Sequence, residues 1–311
     1  MTAPQHVARM TLREKCAQMV FFGHRFGEDD PERTSELVRK EGAGGMLLAG
    51  GSRYDLPAFV NWAQKVAKFP MLVLGDYEDG AGPQVAGATA YPPAAAVAST
   101  GSPDFAQTKG RHIGLEGRAL GVRMVLGPTA SDPFARASAD GFHYSKMAVC
   151  LKGFPGPGVA ELAAEADAIL AGPGVLAEVD EEQPACLSRA VIQGTLRREY
   201  RYEGLVFVNA FAALGDAPEV FERAANAGAD AFLSPPDPVK AIDALEAGVR
   251  GNRIAESTVD RAATRLLLRK ERLGLFADRM VDVAQVEQVV GAAAHREAAA
   301  RMAAAVRPPT A

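Results

Sequence analysis

Side chains able to do chemistry follow a few short apolar runs of the chain. Asp76 and Glu78 lie two positions apart after one such run, so in an extended chain both carboxyl groups leave the same face. Such a pair could act as general acid and general base, although the same residues are common in tight turns. Asp132 could reach the same region or be a solvated loop charge. His24 could line the same region, or it could have an ordinary capping or turn role. No His or Cys spacing of the metal-binding type accompanies these residues.

Short apolar runs flanked by Gly or Pro must position these side chains. They cover residues 18–22, 45–48, 71–74, 123–126, 147–151, 168–171, 205–208 and 231–233. Runs of this type are typical of parallel strands that are buried on both faces. Helical patterns alternate with them at residues 30–41, 56–68, 104–120, 159–167, 188–200, 217–227, 238–250 and 256–273. The alternation predicts an α/β fold, and the number of strands favours a closed (β/α)8 TIM-type barrel.

The domain organisation and several binding classes also follow from the sequence. We expect one barrel domain at residues 1–290 and a C-terminal helix and tail at 291–311. The net charge of −4, without a Lys/Arg run, argues against nucleic-acid binding. No cofactor or metal is expected, because the chain lacks a dinucleotide fingerprint after a strand, and the GFPGPG stretch lacks the Lys and Ser/Thr of a phosphate-binding loop. Three widely spaced cysteines, no apolar leader and no membrane-length run predict a cytoplasmic protein without membrane association.

Several motifs follow one another in an order that matches a known barrel family. They read TLREKCAQMVFFG (11–23), EGAGGMLLAGG (41–51), LGDYEDG (74–80), LEGRALGVRMVLGP (115–128), PACLSRAVIQGTLRREYRYEGLVF (184–207) and AGADAFL (227–233). Together they resemble the barrel of glycoside hydrolase family 3. Because the chain ends just beyond residues 295–300, it resembles most the single-domain bacterial β-N-acetylglucosaminidase (β-N-acetylhexosaminidase) branch.

The catalytic residues that the resemblance implies are replaced in this chain. The family nucleophile is the Asp of a Ser/Thr-Asp pair at the end of the seventh strand, where this sequence has Val208 and Asn209. The acid/base His of the branch lies on a loop after a K-H-F-P-G-H-G motif. Here that motif reads KGFPGPG (152–158), with Gly153 and Pro157 in place of both histidines. Short intervals also predict shortened βα-loops after the fourth and fifth strands. We therefore expect no catalytic residue at the family positions.

The resemblance implies that this sequence retains some sugar-binding positions of the family. Asp76 matches the family Asp that hydrogen-bonds sugar hydroxyls, Lys152 matches the motif Lys, and Asn209 could donate to a ligand hydroxyl. The alternative is that Asp76 and Lys152 form an ion pair at the barrel mouth and that Asn209 is a satisfied amide. The main expectation is a homologue without standard retaining activity that binds an amino sugar or a cell-wall fragment such as a muropeptide.

Two alternatives to this function stay open. One is an active hydrolase of O-glycosyl bonds with relocated carboxylates such as Glu78 or Asp132. The other is a non-catalytic scaffold that binds a protein partner. The sequence leaves the partner and the oligomeric state open.

Overall fold

Eight parallel strands close into a barrel in sequence order, as the computed structural model of residues 2–306 shows. The strands are β1 (Val20–Phe26), β2 (Gly45–Gly50), β3 (Leu72–Gly75), β4 (Met124–Thr129), β5 (Ala148–Phe154), β6 (Ala168–Ala171), β7 (Leu205–Val208) and β8 (Ala231–Leu233). The barrel closes because β1 pairs with β8, with Val20 opposite Phe232. The predicted (β/α)8 barrel is confirmed, and so are all eight predicted strands.

Helices surround the barrel in alternation with the strands. They are α1 (Ala3–Val7), α2 (Leu12–Gln18), α3 (Pro31–Glu36), α4 (Asp55–Val66), α5 (Ala94–Ser99), α6 (Pro103–Ala119), α7 (Ala135–Tyr144), α8 (Val159–Leu162), α9 (Phe211–Leu214), α10 (Pro218–Ala227), α11 (Pro238–Arg250), α12 (Glu256–Arg272), α13 (Val286–Val289) and α14 (Ala293–Ala305). A π-helical turn, Leu37–Glu41, continues α3, and a longer π-helical segment, Ala190–Glu199, connects β6 to β7. Short 3-10 turns cover Ala163–Glu165, Ala185–Leu187 and Val283–Gln285.

Local capping explains where individual helices begin. Asp237 accepts hydrogen bonds from the backbone of Val239 and Lys240, and a proline occupies the first turn, so α11 begins where the sequence predicts. Thr11 and Glu14 form a capping box that starts α2. Since α2 continues to Gln18, β1 begins two residues later than predicted. The expected helix at 159–167 is also shorter, because α8 gives way to a 3-10 turn.

The barrel interior is filled by side chains. Phe21 of β1 and Phe207 of β7 meet edge to face, with ring centroids 4.9 Å apart. Both are fully buried, as are Met124 on β4 and Cys150 on β5. A second apolar layer, which includes Met46 and Tyr77, lies between the strands and the helices. The barrel is thus a packed core whose ends alone are open to ligands.

The C-terminal helix packs on the outside of the barrel. Helix α14 contacts α5 and α6, and His295 Nδ1 lies 2.7 Å from Oε1 of the buried Glu116 on α6. Residues 307–311 of the predicted tail lie outside the described residues, and the division at residue 290 stays a prediction. Within residues 2–306, no helix is long and apolar enough to cross a membrane.

Candidate functional site

A lysine and two carboxylates form a polar cluster at the mouth of the barrel, where the strands end. Lys152 lies near the end of β5, and its Nζ is 2.8 Å from Oδ1 of Asp76 and 3.1 Å from Oε2 of Glu78. Both acids follow β3. The structure thus brings Lys152 to two predicted site residues that are more than 70 positions away in the sequence. The ion pair that was the alternative interpretation of Asp76 and Lys152 is present.

The neighbouring strand β4 fixes the position of Glu78. Its Oε1 accepts a hydrogen bond of 2.8 Å from the backbone nitrogen of Thr129. Gly127 permits this approach, because it has φ of +124° and a Cβ there would lie 3.0 Å from Glu78 Cδ. Thr129 was not singled out from the sequence, since its contribution is a backbone donor that any residue type supplies. The cluster therefore spans β3, β4 and β5.

The charge state of Lys152 follows from this environment. Burial disfavours the ammonium, but the hydrogen bond to Asp76 and the charge of Glu78 outweigh it, so the pKa of Lys152 is raised above its ordinary value. The side chain is therefore protonated at neutral pH and can only donate hydrogen bonds. It can orient a hydroxyl or an anionic group, but it cannot act as a general base.

Asn209 directly follows β7 at the same end of the barrel. It is exposed, and among residues 2–306 its side chain has no hydrogen-bond partner. The amide is therefore available to a ligand, unlike the satisfied amide considered as its alternative. Strand β7 and the following helix α9 contain no Asp or Glu. This segment therefore places no carboxylate at the end of β7.

The loops after β4 and β5 are short, as predicted. Residues 130–134 connect β4 to α7, and residues 155–158 connect β5 to α8. Gly153 has φ of +101°, and both it and Pro157 are exposed at the mouth. Gly158 has φ of +82°, and an added Cβ would collide with the carbonyl oxygen of Ala130. The two short loops therefore pack closely against each other.

His24 and Asp132, the two remaining candidates, are engaged in local contacts. His24 lies on β1, opposite β5 in the barrel; its Nδ1 is 3.0 Å from Thr34 Oγ1, and its ring stacks on Phe59 at 4.5 Å. Burial lowers the pKa of His24. Asp132 Oδ1 accepts a 2.9 Å hydrogen bond from the backbone nitrogen of Phe134, just before α7. Within residues 2–306, no hydrogen bond or ion pair joins either residue to the lysine cluster, although Asp132 and Glu78 line one small cavity.

A cavity on the β1 and β8 side of the mouth contains a residue that the sequence did not indicate. Its volume is about 430 Å³, and its lining includes Gly23, His24 and Ser234. Ser234 follows β8 with φ of +53°, and its buried Oγ has no hydrogen-bond partner among residues 2–306. In the sequence, the feature that could have indicated Ser234 was its position directly after a predicted strand. Ser234 is thus a buried polar group beside this cavity.

Sequence comparisons relate the chain to glycoside-processing proteins. The sequence model of the glycosyl hydrolase family 3 N terminal domain matches residues 11–133 and 157–268. The chain is 26% identical to a beta-N-acetylglucosaminidase/beta-glucosidase of Cellulomonas fimi, over 79% of this chain and 55% of that protein. It is also 26% identical to a beta-hexosaminidase of Tolumonas auensis, over 64% of this chain and 77% of that protein. The stretch between the matched segments, residues 134–156, contains α7, β5 and Lys152.

Solved structures share the barrel. A beta-glucoside phosphorylase bound to 2FGlc superimposes with a TM-score of 0.87 at 21% identity, covering 96% of this chain and 66% of that chain. A family 3 beta-N-acetylglucosaminidase from Paenibacillus sp. superimposes with a TM-score of 0.85 at 24% identity, covering 96% of this chain and 69% of that chain. At sequence identities of 21% and 24%, this structural similarity shows a shared fold.

Proposed function

The chain belongs to glycosyl hydrolase family 3, and we propose that it is a member without retaining glycosidase chemistry whose barrel mouth binds an amino sugar or a cell-wall fragment that contains one. The observation that carries this proposal is Asn209 at the end of β7. Retaining hydrolysis requires a carboxylate that attacks the sugar and forms a covalent intermediate. An amide has no anionic oxygen for this attack, and β7 and α9 offer no other carboxylate.

The missing acid/base supports the same conclusion independently. Residues 153–158 carry Gly153 and Pro157 where the family motif has histidines, and the chain enters α8 directly afterwards. A leaving group would therefore depart without a proton donor from this loop. Both halves of the retaining reaction are absent, so restoring one of them would not restore hydrolysis.

Relocated carboxylates offer a weaker alternative. Glu78 and Asp76 bind the same ammonium, so their two lysine-bound oxygens lie closer than the sum of 2.8 Å and 3.1 Å. Inverting hydrolysis leaves roughly 6.5–9.5 Å between its carboxyl groups to admit a water molecule. Asp132 is already engaged by the backbone of Phe134. The separation thus does not fit an inverting pair, and Glu78 is further engaged by the backbone of Thr129.

Open polar groups at the mouth supply the binding chemistry. Among residues 2–306, Asp76 Oδ2 and the Asn209 amide have no hydrogen-bond partner, and the Asp76 side chain is 50% exposed. A carboxylate oxygen and an amide can pair with sugar hydroxyls and with an acetamido group. The names of the relatives, a beta-N-acetylglucosaminidase/beta-glucosidase and a beta-hexosaminidase, favour an amino sugar as the ligand.

The first experiment measures turnover of an aryl N-acetyl-β-glucosaminide by the wild-type protein and by Asn209→Asp. We expect both to remain at the rate of the blank, because the variant still lacks the acid/base. Wild-type turnover that is abolished by Asp76→Ala or Glu78→Ala would refute the proposal in favour of a relocated site.

The second experiment titrates N-acetylglucosamine and a muropeptide calorimetrically into the wild-type protein. We expect saturable binding that Asp76→Ala weakens by about tenfold or more, since it removes charge-assisted hydrogen bonds. Asp140→Ala is the matched control, because Asp140 is exposed on α7 and outside the lysine cluster. Absence of both turnover and sugar binding would leave a scaffold that binds a protein partner.

A further inference from the structure

The opposite end of the barrel, where the strands begin, carries a second set of charged residues. Helix α12 crosses this face, because its side chains reach the residues that precede three strands. Lys270 contacts Gln18 before β1, Arg269 contacts Asp167 before β6, and Arg265 contacts Asp230 before β8. In barrels of this fold the N-terminal face usually serves stability, whereas active sites lie at the other face. A ligand site here would therefore be separate from the mouth.

A cavity of about 550 Å³ opens on this face between α12 and the ends of α6 and α7. Its lining has five basic side chains and two acidic ones, with His143 in addition. The basic residues are Arg118, Arg123, Lys146, Arg269 and Arg272. The acids are Asp167, which binds Arg269, and Asp278, which has no ion pair within residues 2–306. The lining thus has an excess of positive charge in a protein whose net charge is −4.

Arg123 is the most informative residue of this cavity. It directly precedes β4, is 7% exposed and has no carboxylate partner among residues 2–306. Its Nη1 donates to the backbone oxygens of Arg118 and Val122 at 3.0 and 3.2 Å. No hydrogen bond of its Nε or Nη2 is found in the described part of the chain. Burial and the nearby charge of Arg118 lower the pKa of Arg123 to about 10, and the opposing charge of Asp278 does not outweigh them. The buried guanidinium is therefore only partly compensated by the acids of the cavity.

The neighbours of Arg123 also have unused donors. Arg118 donates to the backbone oxygen of Lys146 at 3.0 Å, and its pKa is lowered chiefly by burial. Lys146 has φ of +58°, a conformation that costs a lysine energy and is usual for glycine. Within residues 2–306, neither Lys146 nor Arg272 forms an ion pair. Three cations besides Arg123 therefore face the cavity without a carboxylate in ion-pair contact, and the charge of Asp278 acts on Arg118 only through space.

Capping of helix ends accounts for only part of this arrangement. Helices α6 and α7 end at this face, and basic side chains are favourable beside the carbonyl groups of helix C-termini. The Nη1 bonds of Arg118 and Arg123 serve this purpose. They use one nitrogen of each guanidinium and leave the remaining donors to the cavity. The side chains of Lys146 and Arg272 take no part in these bonds.

We propose that this cavity binds a small molecule that carries a phosphate group. Guanidinium groups match the geometry of phosphate oxygens, which accept several charge-assisted hydrogen bonds at once. A single carboxylate would leave most of the basic residues uncompensated, whereas a phosphate carries more charge and three acceptor oxygens. This assignment is independent of the function proposed for the mouth.

Calorimetric titration of inorganic pyrophosphate at constant ionic strength tests the assignment. We expect saturable binding to one site, weakened at least about tenfold in Arg123→Gln and in Arg272→Gln, since each substitution removes charge-assisted hydrogen bonds. Arg272 is exposed, so its substitution leaves the core intact if the buried Arg123→Gln fails to fold. Arg261→Gln on the same helix is the matched control, because Arg261 is exposed and outside the cavity. We expect it to bind within about twofold of wild type, since distant surface charges are screened.

Three outcomes would overturn the proposal. One is the absence of saturable binding to the wild-type protein at millimolar pyrophosphate. Another is an equal loss of affinity in Arg261→Gln and Arg272→Gln, which would show general electrostatic attraction. The third is stronger binding of tricarballylate than of pyrophosphate under the same conditions, which would assign the cavity to carboxylates.

Discussion

Replacing Lys270 by methionine should stabilise the barrel at neutral pH. Lys270 lies on α12 with its side chain fully buried, and no carboxylate among residues 2–306 pairs with it. Its Nζ donates a 2.6 Å hydrogen bond to Oε1 of Gln18. Burial lowers the pKa of Lys270 from its ordinary value of 10.5 to about 7. Methionine has a similar length and no charge, so it can occupy the same space.

The expected magnitude follows from this difference in pKa. Each pKa unit corresponds to about 1.4 kcal/mol, so the buried ammonium destabilises the folded state by about 4–5 kcal/mol at or below pH 7. Between about pH 7 and 10.5 the unfolded chain binds more protons than the folded one, and the penalty falls to about 2 kcal/mol near pH 9. The variant loses the hydrogen bond to Gln18, at about 2 kcal/mol. The net gain is therefore about 2–3 kcal/mol near pH 7 and close to zero near pH 9.

Urea denaturation at pH 6.5, 7.5 and 9, for wild type and Lys270→Met, measures this gain. Lys109→Met is the matched control, because Lys109 is also buried but its Nζ binds Asp79 at 2.7 Å and the backbone oxygen of Pro92 at 2.8 Å. The control should destabilise the protein at all three pH values, since it leaves these acceptors without a donor. A gain in Lys270→Met that does not depend on pH, or a loss at pH 6.5, would refute the reasoning.

Further predictions concern stability and thiol reactivity. Glu116→Gln should cost about 2–3 kcal/mol at pH 7, because hydrogen bonds from His295, Thr89 and Gly291 outweigh burial and lower the pKa of Glu116. The stability from this carboxylate is lost as the pH falls through its lowered pKa. The difference in unfolding free energy between wild type and Glu116→Gln, measured by urea denaturation, should therefore narrow below about pH 4.5. Gly158→Ala should cost more than the roughly 1–2 kcal/mol of a left-handed alanine, because of its collision with a carbonyl group. An equal loss in Gly42→Ala, where the backbone is also left-handed with φ of +72° and the space is open, would contradict this reason. Burial raises the pKa of every thiol, so a disulfide reagent at pH 8 should react only after unfolding; the thiols are those of Cys16, Cys150 and Cys186.

The strands were predictable because parallel strands buried on both faces are continuous apolar runs. The runs at 168–171 and 205–208 match β6 and β7 at both ends. Helix α7 was not predicted, since its sequence, ARASADGFHY, contains residues of low helix propensity and is stabilised by packing against α6. Helix α1 at the start of the chain was not predicted either; in it His6 stacks on Phe276 at 4.9 Å.

The site was predictable only where the motifs of the family identified it. Asp76 and Lys152 were paired through their motifs, because periodicity alone says nothing about contacts between distant residues. The cavity at the N-terminal face was missed for the same reason. Its basic residues are scattered from Arg118 to Arg272 with no run of charge. Closure of the barrel and the path of α12 bring them together, and neither is visible in a local pattern.

The proposed sugar binding and the stability of the barrel mouth depend on different atoms. Glu78 accepts from the backbone of β4 and binds Lys152 of β5, and its side chain is 18% exposed. It therefore holds three adjacent strands together whether or not a ligand is present. Asp76 contributes a half-exposed carboxylate with one oxygen free, and exposed ion pairs of this kind add about 0–1 kcal/mol to stability. Since its structural contribution is small, loss of sugar affinity in Asp76→Ala without loss of stability would reflect lost ligand contacts and not a collapsed mouth.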